Sequence, residues 1–100
     1  MEIRKVSENK KQFLSLLLLA DEQENMVDRY LEKGTMYVLV DCGVKAECVV
    51  TDEGGGILEI KNIAVDSKYH GMGYGKALID FLASKYADEY SVLQVGTGDS

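Results

Sequence analysis

The chain of 100 residues is long enough for one domain, and its net charge of −6 argues against nucleic acid and anionic membranes as partners. Cys42 and Cys48 lack the spacing of a redox or zinc motif, and the single histidine cannot complete a zinc site with them. No signal peptide is apparent and the longest apolar run, 13–20, is too short to cross a bilayer, so we expect a cytoplasmic protein with reduced thiols and no metal.

A short strand at 2–6 and two helices are predicted for the first third of the chain. The segment 10–20 is apolar around most of its circumference, which indicates a largely buried helix. Asp21 and Glu24 have the spacing of a capping box and predict the start of a second helix, which ends before Gly34. The acidic outer face of that helix indicates solvation first, and attraction of a cationic substrate second.

Three strands of an antiparallel meander are predicted next, then a helix, a last strand and a polar tail. The predicted strands are 35–40, 44–51, 57–65 and 90–95. Odd-numbered residues of the strand 57–65 are expected on one face of the sheet and even-numbered residues on the other. Both sets are mostly apolar, so we expect helices on both faces. The polar Glu59, Lys61 and Asn62 in this strand then need partners or water.

Three alternate glycines, Gly71, Gly73 and Gly75, stand between that strand and a helix whose apolar face begins at Tyr74. No Ser, Thr, Asp or Asn immediately precedes the helix to cap its first amide groups, and Lys76 rather than an acid occupies the first turn. Glycine lets a backbone approach a ligand closely, and a helix N-terminus attracts an anion. The pattern indicates a phosphate site or, alternatively, a glycine-rich surface turn before an ordinary helix.

Two familiar nucleotide-binding motifs do not fit this segment. A P-loop requires a glycine five residues before the Gly-Lys pair and Ser or Thr after it, where this chain has His70 and Ala77. The dinucleotide fingerprint requires Gly-x-Gly-x-x-Gly, whereas the glycines here alternate. The segment therefore matches neither pattern.

The segment resembles the acetyl-CoA signature of the GNAT superfamily of N-acetyltransferases, Gln/Arg-x-x-Gly-x-Gly/Ala, which follows a strand that often ends in Ala-Val. Here the strand ends in Ala64-Val65, and the matching residues are His70-Gly71-Met72-Gly73-Tyr74-Gly75, with His70 in place of Gln or Arg. The resemblance implies an α/β fold of order βααβββαβ, with a mixed, mainly antiparallel sheet flanked by helices. The cofactor-binding residues that it implies are Ile63, Ala64, Val65, His70, Gly71, Met72, Gly73, Tyr74, Gly75 and Lys76.

The resemblance also implies a reaction, the transfer of an acetyl group from acetyl-CoA to a primary amine of a small molecule or protein. In some members of the superfamily a glutamate six residues before the strand-ending valine acts as general base, and Glu59 has that spacing. An ion pair between Glu59 and Lys61 is the alternative role for this carboxylate. Such a pair would oppose the raised pKa that favours a general base.

The superfamily fold continues with another helix and two more strands, which do not appear in this sequence. We therefore expect a single acetyl-CoA-binding domain, 1–100, without those C-terminal elements. An apolar sheet edge near 92–95 would then tend to recruit a second copy of the chain, giving a homodimer. The alternative function is an acetyl-CoA-binding module without catalysis, or a fragment that needs a partner chain.

Overall fold

Five strands form one sheet in the order β1-β2-β3-β4-β5, in which β1 to β4 are antiparallel to their neighbours and β5 is parallel to β4. The strands are β1 (Glu2–Val6), β2 (Thr35–Val40), β3 (Val44–Gly54), β4 (Ile57–Val65) and β5 (Val92–Val95). The helices are α1 (Leu14–Ala20), α2 (Glu24–Leu31) and α3 (Tyr74–Lys85). The computed structural model describes residues 1–96, so most of the predicted polar tail lies outside the described residues. The predicted element order and mixed sheet are confirmed.

Helices cover both faces of the sheet and create two apolar layers. On one face α3 buries Leu78 and Leu82 completely against strand residues that include Ile60. On the other face Leu17 of α1 packs in a cluster with Val49 of β3. Each fully buried side chain of this size contributes about 1.5–3 kcal/mol relative to an exposed one. The cover on both sides that the apolar pattern of β4 predicts is therefore confirmed.

The first predicted helix begins later than its apolar pattern suggests. It opens as a short 3-10 turn after Asn9, whose φ of 51° lies in the left-handed region. The ammonium of Lys10 is buried and donates to the carbonyl oxygens of Leu31 and Gly34, each at 2.8 Å. This side chain thus satisfies carbonyl groups at the end of α2 and ties the turn to it.

The last strand is also shorter than predicted. β5 begins at Val92, because the chain leaves α3 through a turn in which the Glu89 and Tyr90 amides bond back to the Tyr86 carbonyl oxygen. The rings of Tyr86 and Tyr90 meet edge to face at 5.7 Å. No helix within residues 1–96 is both long enough and apolar enough to cross a membrane.

β4 has an extra residue at one point of its pairing with β3. Val50 of β3 pairs with Ile60, whereas the adjacent Val49 pairs with Asn62, so Lys61 is an extra residue in β4. Such a β-bulge bends a strand and increases its local twist. Ile60 is also the last residue of β4 that pairs with β5. Within residues 1–96, the pairing of the two strands therefore ends at the bulge.

The bulge reverses the alternation of faces along β4. Leu58 and Ile60 before it pack in the layer of α3, and Ile63 and Val65 after it pack in the same layer. The prediction that odd-numbered residues of this strand share one face is therefore wrong. The physical reason is that the extra residue, Lys61, shifts the register by one position and exchanges the two faces.

Glu47 of β3 carries a carboxyl group into the core. The residue is fully buried, and neither carboxyl oxygen has a hydrogen-bond partner among residues 1–96. Burial raises the pKa of Glu47 to about 8. The group is therefore protonated in the folded protein at neutral pH, because a neutral carboxyl costs far less to bury than a carboxylate.

This buried carboxyl predicts a specific loss of stability with rising pH. The folded pKa lies above the unfolded value of 4.5, so the contribution of Glu47 to stability is greatest below pH 4.5 and declines until about pH 8. Glu47→Gln cannot ionise at this position, so its stability relative to the unmodified chain should increase with pH. We expect the difference in the free energy of unfolding to grow by a few kcal/mol between pH 4.5 and about pH 8, since one pKa unit corresponds to about 1.4 kcal/mol.

Urea unfolding of both proteins at a series of pH values measures this difference. Glu8→Gln is the matched control, because Glu8 is exposed and its substitution should leave the pH dependence unchanged. Parallel curves for Glu47→Gln and the unmodified chain would show that Glu47 is ionised in the fold.

Candidate functional site

The turn between β4 and α3 presents backbone amides without partners. Gly71 and Gly73 have φ angles of 80° and 85°, a region that favours glycine. Gly73 is the N-cap of α3, and within residues 1–96 no side chain caps the helix and no acid lies in its first turn. The first amides of the helix, including those of Tyr74 and Gly75, carry a partial positive charge that suits an anion.

Contacts on both sides hold this turn in place. The ring Nε2 of His70 lies 3.0 Å from the carbonyl oxygen of Val65, which accepts the hydrogen bond. The hydroxyl of the buried Tyr74 donates to Asp41 Oδ2 at 2.7 Å, which links the start of α3 to the turn between β2 and β3. The backbone amides of the turn are thus fixed relative to the end of β4.

Like His70, two further side chains of the predicted set lie at the surface. The ammonium of Lys76 is 2.7 Å from Asp80 Oδ2, one helical turn further along α3, and its side chain is 80% exposed. Met72 is exposed as well. Lys76 therefore offers its backbone amide to the start of the helix, while its charge is already paired on the outer surface.

Among residues 1–96, no strand pairs with the second half of β4 on the edge that faces away from β3. The Asp66 amide donates to the Lys45 carbonyl oxygen, and the antiparallel pattern then directs the backbone groups of Ala64 toward β3. The backbone N–H and C=O groups of Ile63 and Val65 face the open edge. The Val65 carbonyl oxygen there already accepts a hydrogen bond from His70. The groups left for a ligand are the N–H and C=O of Ile63 and the N–H of Val65.

A cavity of about 620 Å³ opens where β4 and β5 separate. Gly96 lies at the point of divergence and donates its N–H to the Ile60 carbonyl oxygen at 2.9 Å. The residues lining this cavity include Ala20, Asp21, Met26, Lys61, Asn62, Ile63, Val95 and Gly96. Its volume falls within the range of about 300–1,000 Å³ that is usual for small-molecule sites.

Glu59, the predicted general base, is engaged in an ion pair. Its Oε2 lies 2.6 Å from the Lys61 ammonium, and its Oε1 accepts from Gln94 Nε2 at 2.6 Å. These contacts, first with Lys61 and then with Gln94, hold the pKa of Glu59 below its usual value. The carboxylate stands beside the Gly96 backbone, so it remains close to the mouth of the cleft.

The capping box predicted at Asp21 is not formed. α2 begins at Glu24 without a side-chain cap, while Asp21 Oδ2 accepts a hydrogen bond from the Tyr30 hydroxyl at 3.2 Å. That hydroxyl accepts from Asn62 Nδ2 at 3.0 Å. The sequence pattern did not predict this hydrogen-bonded chain of Asp21, Tyr30 and Asn62, although a polar Asn62 in a largely apolar strand indicates a buried partner.

Most of the chain matches the model of one protein family. Residues 32–98, more than half of the chain, match the family model of the acetyltransferase (GNAT) domain. Within the part of the chain that the structure describes, no group of three or more His, Cys, Asp or Glu side chains is arranged to hold a metal ion.

Individual relatives agree with the family match. The chain is 32% identical over 95 residues to the uncharacterized N-acetyltransferase YvbK of Bacillus subtilis strain 168, covering 93% of this chain and 61% of that protein. A GNAT family acetyltransferase from Elizabethkingia anophelis, solved with acetyl-CoA bound, has a TM-score of 0.87 and 31% identity, covering 99% of this chain and 66% of that one. A Bacillus subtilis acetyltransferase solved with CoA has a TM-score of 0.83 and 31% identity, with the same coverage.

The chain spans between 61% and 66% of the length of these relatives. The matches to the two solved structures cover 99% of this chain, so the segment from β4 to α3 lies within the matched part. The glycine pattern predicted a member of the GNAT superfamily. The family match, the similar sequence and the similar structures confirm that prediction. The chain belongs to the GNAT family of acetyltransferases.

Proposed function

We propose that the chain is an acetyl-CoA-dependent N-acetyltransferase domain that transfers an acetyl group to a primary amine of a small molecule or protein. The observation that carries the proposal is the succession, along one segment, of the cavity at Ile63, the open strand edge to Val65 and the uncapped start of α3 at Tyr74. Two relatives that match nearly the whole length of this chain were solved with acetyl-CoA or CoA bound, which supports the proposal. The free thiols of Cys42 and Cys48 support a cytoplasmic location.

The two halves of the site suit the two ends of acetyl-CoA. The backbone amides from Gly71 to Lys76 would hold the diphosphate, because they combine unpaired donors with the positive end of the helix dipole. The free N–H and C=O of Ile63 and the N–H of Val65 would pair with the amides of the pantetheine arm as a neighbouring strand does. Acetyl-CoA supplies the acetyl thioester at the end of that arm.

The reaction requires an acceptor amine beside the thioester. The amine nitrogen attacks the carbonyl carbon, a C–N bond forms and the C–S bond breaks. One proton leaves the nitrogen and the thiolate sulfur takes up one proton. Glu59 would accept the proton from the amine, directly or through a water. The lowered pKa of Glu59 keeps the carboxylate ionised but makes it a weaker base, so much of the rate would come from holding both reactants together, which can contribute about 7–11 kcal/mol.

A binding module without catalysis, or a fragment that requires a partner chain, is the second candidate. The observation that favours it is the outer edge of β5, which has no partner strand among residues 1–96. Val92 and Val95 on this strand are 44% and 62% exposed. An open apolar edge recruits other chains, so we propose that this edge forms a homodimer.

Replacing a glycine of the turn tests the cofactor site. Gly73→Asp puts a carboxylate at the N-cap of α3, where it occupies the amides and repels a phosphate. We expect its dissociation constant for CoA to rise about ten-fold or more, a loss of about 1.4 kcal/mol, in isothermal titration calorimetry. Gly54→Asp is the control, since Gly54 has the same φ of 85° in a distant hairpin. Equal losses in both variants, or none, would contradict the site.

Removing the carboxylate at position 59 tests the proposed base. Glu59→Gln should lower kcat about 100-fold or more without changing the affinity for CoA, because a positioned base contributes about 10²–10⁴-fold. Lys61→Gln should raise the pKa of Glu59 and move the acidic limb of the pH profile to higher pH. Thiol release with a panel of amines measures both effects, with Glu24→Gln as the control. An unchanged kcat in Glu59→Gln would remove this residue from the mechanism.

Sedimentation velocity over a range of concentrations tests the proposed dimer. We expect Val92→Lys to shift the chain toward monomer, because a lysine on an edge strand opposes pairing. Ile79→Lys is the matched control, since Ile79 is a similarly exposed apolar residue on α3. A single monomer peak at all concentrations in the unmodified chain would refute the dimer.

A further inference from the structure

A second, smaller cavity adjoins the cleft. It has a volume of about 240 Å³ and lies between α2 and the first half of β4. The residues that line both cavities are Asp21, Met26, Lys61 and Gly96. If the larger cavity receives the acetyl end of the cofactor, the acceptor enters through the smaller one. The reacting amine then lies at the boundary that these residues form.

Asp21 is the acidic residue at this boundary. Its Oδ2 accepts from the Tyr30 hydroxyl, and no Lys or Arg nitrogen of residues 1–96 lies within 4 Å of its carboxylate. Lys61, the other charged residue at the boundary, is already paired with Glu59 at 2.6 Å. The boundary therefore carries a negative charge that is not balanced within the described part of the chain.

A buried chain of hydrogen bonds fixes the position of Asp21. Tyr30 and Asn62 are 9% and 3% exposed, and Asn62 Nδ2 donates both to the Tyr30 hydroxyl and to the Leu17 carbonyl oxygen, each at 3.0 Å. The Tyr30 hydroxyl is left to donate to Asp21. Burial raises the pKa of Tyr30 to about 12, so this donor persists at neutral pH. The carboxylate is thus oriented before a ligand arrives.

The wall of the smaller cavity formed by α2 and the turn that follows it has the opposite charge. Arg29 lies in the last turn of α2 and Lys33 lies two residues beyond its end, and both line this cavity. Neither has a carboxylate within 4 Å among residues 1–96. Two adjacent cations repel each other, and an anion between them relieves that repulsion.

We propose that the acceptor is a small amino carboxylate, such as a free amino acid, whose amine binds Asp21 and whose carboxylate binds Arg29 and Lys33. This inference rests on the proposed acetyl transfer and names its substrate class. The volume of about 240 Å³ suits a compact molecule, since sites for larger ligands begin near 300 Å³. Asp21 and the two cations are substrate-binding residues, and Tyr30 is a positioning residue.

Equilibrium binding in the presence of saturating CoA tests the proposal without requiring turnover. The probes are glycine, alanine, β-alanine and γ-aminobutyrate, each compared with its amide and with the acid that lacks the amine. We expect at least one of the amino acids to bind about ten-fold or more tightly than both of its analogues, because each analogue leaves one charge of the site unmatched. Equal or tighter binding of the amides would overturn the proposal.

Variants assign each half of the ligand to its residues. Asp21→Asn should remove the preference for the amino acid over the acid without an amine. The double variant Arg29→Gln/Lys33→Gln should remove the preference for the amino acid over its amide. Asp28→Asn and Lys85→Gln are the charge-matched controls, because neither residue lines the cavities. Retention of both preferences in the cavity variants would overturn the assignment.

Tyr30→Phe isolates the positioning role. We expect this variant to lose several-fold affinity only for ligands that carry an amine, with CoA affinity unchanged, because the hydroxyl acts through Asp21. A purely structural role would weaken the binding of amine-free acids to the same extent, and that result would overturn the positioning role.

The same titrations separate this inference from the proposed function. No binding of CoA to the unmodified chain overturns the cofactor assignment and, with it, this inference. Binding of CoA with no preference for an amino carboxylate overturns only the inference and leaves acetyl transfer in place. Tighter binding of a peptide with a free N-terminus than of any single amino acid overturns it in favour of a protein acceptor.

Discussion

The extra residue in β4 is the constraint on which the site depends. Regular pairing would carry β4 and β5 side by side to their ends and leave no cleft between them. Lys61 bends β4 away, and within residues 1–96 the pairing with β5 ends at Ile60 and the edge from Ile63 to Val65 has no partner strand. The bulge also directs Asn62 toward α1 and Tyr30. One inserted position thus lies beside both the cleft proposed for the acetyl end of the cofactor and the anchor for Asp21.

Two apolar layers allow the sheet to keep this irregular strand. α3 packs on β4 both before and after the bulge, and α1 with α2 covers the opposite face. Helical cover on both sides limits how far the strand can straighten. The start of α3 is held to the turn between β2 and β3 by the contact of Tyr74 with Asp41. The amides proposed for the diphosphate and the open edge proposed for the pantetheine arm are therefore parts of one packed unit.

Local patterns predicted the parts of the fold that depend on neighbours in sequence. The absence of a capping residue before Tyr74 predicted an uncapped helix, and turn residues predicted the meander. The bulge escaped prediction, because one added residue leaves the apolar composition of β4 unchanged. Asp21 has capping-box spacing, yet a hydrogen bond to Tyr30, nine residues away, determines its position. Glu47 gave no local sign of burial, since only the packing of α1 and α2 over β3 encloses it.

The order of strands in the sheet also has a consequence for synthesis on the ribosome. Each strand from β1 to β4 pairs with its immediate successor, so these four can assemble as soon as they emerge. β5 must wait for the crossover through α3 to be translated, and only then does it meet β4. The cleft proposed for the cofactor is therefore the last feature of the described chain to be completed during synthesis.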